Sequence, residues 1–154
     1  MSKKFNIREK VYQIYGMNNC LPVLNKPNYN IIDIFISADK NTELIKFINY
    51  EKFRGKIKQL TRSDFNERFA RYRTQGIVVT FTGTLVKNIQ EYNFTNQNSC
   101  LLILDQIEDP QNAGQIIRTS ECAGIDGIVF PLHNSFKISD TVLNVSQGAF
   151  VGVP

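Results

Sequence analysis

The sequence has no tryptophan, one histidine, two methionines and three cysteines in 154 residues. Each shortage excludes a class of chemistry. A structural zinc site needs four nitrogen or thiolate ligands at short spacing, and His133, Cys20, Cys100 and Cys122 are scattered along the chain. No metal is expected. An odd, widely spaced cysteine set gives no disulfide framework either, so the thiols read as small reduced hydrophobes. No Ser-His-Asp hydrolase set assembles around the lone His133, which reads as a solvated loop side chain. No apolar run approaches the roughly 18 residues of a membrane span. The basic opening "MSKKFNIREK" has no apolar stretch behind it. No signal peptide is read there, and the expected compartment is the cytoplasm or an organellar matrix. Acidic residues are scarce in the first hundred positions, with eight Asp/Glu against sixteen Lys/Arg. Basic residues are scarce afterwards, with two against six.

A chain of this length fits one domain or two small ones, and it can bury a core without disulfides. Hydrophobic residues make up 42% and charged residues 21%, as in ordinary globular proteins. The change of sign along the chain indicates a basic module joined to a module with other duties. Basic surface points to a polyanion, because neutralised phosphates release counterions.

The elements alternate. "VYQIYGMNNCLPVLNK" (11–26) has helical spacing at Met17, Cys20, Leu21 and Leu24, with Pro22 expected to kink the helix or delay its start. "IIDIFIS" (31–37) reads as a buried strand. "NTELIKFINYEKF" (41–53) reads as one helix with Leu44, Ile45, Ile48 and Phe53 on a single face. "KIKQL" (56–60) reads as a strand. "TRSDFNERFA" (61–70) is a helix capped by Thr61 or Ser63, and "GIVVTFTG" (76–83) is a strand. That order predicts a layered α/β unit. The polar stretch 86–99 ends in an Asn/Gln run and reads as a linker, with one short helix around 87–92. "CLLILDQ" (100–106) and "DGIVFP" (126–131) are apolar strands of the parallel type, joined through a helix over 113–123. "SDTVLNVSQGAF" (139–150) reads as a helix capped by Ser139 or Asp140.

The corner "DPQNAGQIIRTSECAG" (109–124) is the unusual segment. Asn112 and Gln115 have the spacing of a capping box. Gly114 lets a partner backbone or a ligand come close. Gly124 stops the helix. Gln115, Arg118, Glu121 and Cys122 lie near one another on a helical stripe. Two readings remain open on these residues alone. In one, Asn112 caps, Gly114 packs, and Arg118 pairs with Glu121 on a solvated face. In the other, the helix N-terminus and Arg118 hold a phosphate. There is no G-x-G-x-x-G and no G-x-x-x-x-G-K-[ST] to support a nucleotide fold.

"LLILDQIEDPQNAGQIIRTSECAGIDGIVFP" resembles the first motif of the SpoU family of RNA 2′-O-ribose methyltransferases, in the TrmH/RlmB branch of the SPOUT superfamily. Asp105, Asp109, Pro110, Asn112, Gly114, Arg118 and Gly124 carry the match. "VSQGAFVGVP" resembles the family's small-residue helix end. "IYGMNNCLPVL" resembles its opening, and "RTQGIVV" resembles its His-Gln-Gly strand start, with Arg73-Thr74 in place of the histidine. The resemblance implies an α/β chain in three parts. Residues 1–86 would be a small α/β/α RNA-substrate-binding domain, 87–99 a linker, and 100–154 the N-terminal half of a SPOUT methyltransferase domain. In the family, two later motifs form a deep trefoil knot that binds S-adenosylmethionine and makes the homodimer. Neither motif occurs in these 154 residues, so this chain alone is not expected to bind that cofactor.

The implied activity is methyl transfer to a ribose 2′-hydroxyl of structured RNA, rRNA or tRNA. The arginine matching Arg118 is the family's hydroxyl-activating residue. A guanidinium is a poor base and a good directed donor, so hydrogen bonding or charge stabilisation is the more natural role. Asn112 would position the arginine or the RNA, with Gly114 and Glu121 in support. On the basic module, residues 46–73 hold nine Lys/Arg against three Asp/Glu. Arg68, Arg71, Arg73, Tyr72 and Gln75 are the candidate RNA contacts, with the phenylalanines assigned to the core. The alternative is an RNA-binding protein without catalysis.

Overall fold

The computed structural model describes residues 10–92 and 99–154. The chain runs β1 (Tyr12–Tyr15), α1 (Met17–Asn25), β2 (Asn30–Ser37), α2 (Asn41–Ile45), α3 (Tyr50–Phe53), β3 (Ile57–Leu60), α4 (Arg62–Phe69) and β4 (Ile77–Thr82). It continues through β5 (Leu101–Ile103), α5 (Pro110–Cys122), β6 (Gly127–Val129) and α6 (Asp140–Val145). The first four strands form one sheet in the order β1-β4-β2-β3. In it β2 and β3 are parallel, while β4 is antiparallel to both β1 and β2. β5 and β6 form a separate parallel pair joined through α5.

Strand periodicity divides the first sheet's side chains between two faces. Ile14, Ile34, Ile36, Ile77, Val79 and Phe81 pack with Val23 and Leu24 of α1, Leu44 of α2 and Phe53 of α3. Phe35 and Val78 point the other way and meet Phe65 and Phe69 of α4. β2 is apolar at both parities because it is central and covered on both faces. Each such fully buried side chain contributes about 1.5–3 kcal/mol. A second core collects Leu104, Ala113, Ile117, Phe136, Val142 and Ala149 around α5. α6 serves both cores, giving Leu143 to the first and Val142 to the second.

Several segments differ from the sequence expectation. Residues 12–15 form an edge strand before α1, with Tyr12 and Ile14 inward and Gln13 and Tyr15 half-buried on the other parity. α1 runs through Pro22 without a break. Segment 41–53 is two short helices, because the Asn49 side chain accepts from Lys52 N–H at 3.1 Å and starts α3 afresh. β5 ends at Ile103, and Gln106 at φ 55° bends the chain away from the sheet. α6 stops at Val145 because Gln147 and Gly148 both adopt positive φ, and a 3-10 turn (Ala149–Val151) follows. The short helix expected near 87–92 is one 3-10 turn, Ile89–Glu91. Residues 93–98 of the expected linker and the basic opening 1–9 lie outside the described residues.

Candidate active site and nucleic-acid surface

α5 starts earlier than the capping-box spacing implies. Gln111 N–H donates to Asp109 Oδ1 at 3.0 Å, so Asp109 is the cap and Pro110 takes the first helical position. Asn112 is therefore the third helical residue and is exposed, with no capping bond. The cap goes to Asp109 because a proline is suited to the position right after it, where its missing N–H costs nothing. Asp109→Ala should cost about 0.5–2 kcal/mol, and Asn112→Ala less than about 0.5 kcal/mol. Thermal melts of both variants check this, and the reverse ranking would return the cap to Asn112.

The helix closes as expected. Gly124 has φ +70°, its N–H donates to Glu121 O at 3.1 Å, and Ile125 N–H donates to Ser120 O at 3.0 Å. That pair of bonds is a Schellman closure. Gly114 admits a helix rather than a ligand. A Cβ placed on it would lie 2.6 Å from Val145 Cβ and 2.9 Å from Val142 O, so its absence lets α5 and α6 touch.

Arg118 stands one turn beyond Gly114 on the same stripe. It is exposed, and among the described residues it has no hydrogen bond or ion pair. The expected contact with Glu121 is not formed. Glu121 turns instead toward the end of the chain, where its Cγ lies 3.4 Å from a Cβ built on Gly152. Asn112 is not a helical neighbour of Arg118. Six residues of helix separate them by about 9 Å along the axis and put them on different stripes. Gln111 and Gln115, at i−7 and i−3, share the arginine's stripe and are exposed. Gln115 lies beside Arg118 as the helical spacing predicts, and it takes no part in the cap that Asp109 makes.

The basic module presents a second cluster. Tyr15 and Tyr72 pair with ring centroids 4.9 Å apart. Partial burial, with Tyr72 beside it, pushes the Tyr15 phenol above its ordinary value. The Arg68 guanidinium lies 4.4 Å over the Phe35 ring and 5.6 Å from Phe69. Lys58 pairs with Asp33 at 2.7 Å. Arg71 and Arg73 are exposed and form no ion pair among the described residues. Tyr72 is 42% exposed. Gln75 is committed locally, since its Oε1 accepts from Met17 N–H at 3.0 Å and tops α1.

S-adenosylmethionine would find no carboxylate in either of two grooves. It carries a sulfonium and an ammonium that want carboxylate partners. The groove of about 440 Å³ beside α5 is lined by Leu102, Gln115, Ile116, Thr119, Ser120, Ala123 and Ile125, with no carboxylate. A second groove, about 250 Å³, carries Lys26, Lys52 and Lys56 and repels a cation. Among the described residues no group of three or more His, Cys, Asp or Glu could hold a metal, and no helix is long and apolar enough to cross a membrane.

Residues 99–154 match the family model described as the SpoU rRNA Methylase family. Over 56 residues the chain is 45% identical to a protein of Staphylococcus aureus (strain MSSA476) named as a TrmH family tRNA/rRNA methyltransferase, covering 36% of this chain and 23% of that protein. A similarly named protein of Staphylococcus saprophyticus is 43% identical over 56 residues. The likeness of fold extends further. An rRNA methyltransferase from Sinorhizobium meliloti superposes with TM-score 0.74 at 18% identity, covering 99% of this chain and 56% of that one. The SpoU methyltransferase AviRb from Streptomyces viridochromogenes, in complex with AdoMet, gives 0.68 at 14% identity, covering 94% and 54%. The chain thus spans about half the length of these solved structures, and its match to the staphylococcal proteins spans under a quarter of theirs. Residues 99–154 thus match the SpoU rRNA Methylase family model, and the chain as a whole shares its fold with about half the length of these solved structures.

Proposed function

We propose that this chain supplies the RNA-binding and hydroxyl-activating parts of an RNA 2′-O-ribose methyltransferase acting on structured rRNA or tRNA. The supporting observation is Arg118, an exposed guanidinium with no partner among the described residues, held on the helix of the family-matched segment. A ribose hydroxyl is a weak nucleophile. A planar fork of N–H donors aimed at its oxygen, or at the adjacent phosphate, stabilises the charge that develops as the proton leaves. Gln115, on the same stripe, adds an amide within reach of the same substrate. Residues 1–86 hold the RNA, 87–99 connect, and 100–154 carry the corner. S-adenosylmethionine is the implied methyl donor. The full-length protein is proposed to act as a cytoplasmic homodimer.

On the RNA side, Tyr72 offers a ring face to an unpaired base, and Arg71 and Arg73 offer charge to phosphates. Charge reversal of Arg71 and Arg73 together should make the salt dependence of RNA binding shallower by about 1.4–1.8 in log–log slope, two phosphate contacts' worth. The 154-residue chain and a structured RNA suffice for this titration. Unchanged affinity and slope would show these arginines to be merely solvated. Arg68→Glu belongs in a separate series with its melting temperature, because Arg68 also covers Phe35.

A further inference from the structure

β1 is an edge strand, and an open edge presents unpaired backbone groups. Gln13 and Tyr15 turn theirs away from β4. All four of these groups are taken by side chains. Gln13 N–H donates to Asp140 Oδ1 at 3.0 Å, and Gln13 O accepts from Asn144 Nδ2 at 3.0 Å. Tyr15 N–H donates to Asn144 Oδ1 at 2.9 Å, and Tyr15 O accepts from Asn19 Nδ2 at 3.0 Å. The Asn144 carboxamide thus pairs with β1 as a neighbouring strand's peptide group would. Asn144 is buried, and its Nδ2 also donates to Asp140 O at 2.7 Å, which fixes the amide on its own helix. Asn19 Nδ2 reaches Asn144 O at 3.2 Å and ties α1 to the same point.

These bonds join parts of the chain more than 120 residues apart. On one side is Tyr15, its ring tilted against that of Tyr72. On the other is α6, pressed against α5 at Gly114, one turn from Arg118. We infer that Asn144 is a positioning residue: by standing in for a strand on the edge of β1, it holds the Tyr15–Tyr72 surface and the Arg118 helix as one body. Among the described residues α6 and the turn after it make this joint, with Leu143 in the first core, Asp140 on Gln13 and Gly148 against Asn18, and the Asn144 carboxamide is the group that bonds both Gln13 and Tyr15. The consequence for catalysis rests on the function proposed above, whereas the joint itself does not.

Residual dipolar couplings test the joint on the 154-residue chain. In the native protein one alignment tensor should fit the amides of β1–β4 and of α5–α6 together. In Asn144→Ala each unit should keep its own chemical shifts but require its own tensor, and Asn144→Asp, which keeps the acceptor and loses the donor, should fall between. A single tensor in a folded Asn144→Ala variant overturns the inference. Should that variant not fold, amide exchange in the native chain decides. Gln13 and Tyr15 amides should be protected together with those of α6, and fast exchange at these two residues beside a protected α6 overturns it equally. In the full-length protein, Asn144→Ala should lower kcat at least tenfold with RNA affinity within twofold. Separate tensors with unchanged kcat refute the positioning role. Absence of transfer in the native full-length protein refutes the proposed function and leaves the joint to the tensors.

Discussion

Arg118→Lys should nearly abolish methyl transfer in the full-length protein while leaving RNA affinity within about twofold. Lysine keeps the positive charge and a similar reach, so a purely electrostatic contact with phosphate survives. It lacks the planar fork, so two directed bonds to neighbouring oxygens do not. Removing one preorganised donor to a developing oxyanion costs roughly a hundredfold to a thousandfold in rate, and that is the loss expected here. Stability should hardly move, since Arg118 is exposed and bonds nothing among the described residues. Single-turnover transfer, RNA titration and thermal melting on the same preparation separate the three quantities. Retention of most of the rate would make Arg118 a charge anchor or a surface residue.

The largest effect on stability should come from Gly148→Ala. Gly148 has φ +89°, and a Cβ there would lie 2.2 Å from Asn18 O and 3.1 Å from the Pro22 ring. The two neighbours are connected. Pro22 has no N–H to give to the carbonyl four residues back, so α1 leaves Asn18 O without its helical partner, and the chain after α6 passes close against it. Alanine at this position meets left-handed strain of about 1–2 kcal/mol and an overpacking cost of about 1–3 kcal/mol. A Tm lower by about 5–15 °C is expected for a chain of this size. Gly124→Ala is the control. Its φ is +70°, yet nothing lies within 4 Å of the added carbon, so only the strain remains. Equal losses in the two variants would show that Gly148 is there for its dihedral angle alone.

Gly148 also shows where sequence reading stops. Its place in a small-residue run was visible, but its neighbour Asn18 lies 130 positions away in the chain. The same holds for Asn144, which reads as an ordinary polar helix residue until β1 is beside it. What was legible was local. β2 and β4 announce themselves through β-branched runs, and α4 through Thr61, whose Oγ1 accepts from Asp64 N–H at 3.2 Å. Gly124 ends α5 as its position suggested. β1 was hidden because four residues of Y-Q-I-Y run straight into a helical pattern, and alternation over so short a span is weak. At the corner, Asp109 and Asn112 are both good caps three residues apart. Their side chains alone do not choose between them, and Pro110 does. Arg118 and Glu121 sit at pairing distance on any helix, but the packing of the turn after α6 draws Glu121 away. In each case the missing information was a contact between distant segments.

The most direct test of the proposed function is where the methyl group lands. Full-length protein, S-adenosylmethionine labelled in its methyl group and structured rRNA or tRNA should give labelled RNA, which is then hydrolysed in alkali. Alkaline cleavage needs a free 2′-hydroxyl, so a 2′-O-methyl leaves the label in an alkali-resistant dinucleotide, and this is the predicted result. Label recovered only in mononucleotides would place the methyl on a base and contradict the role assigned to Arg118.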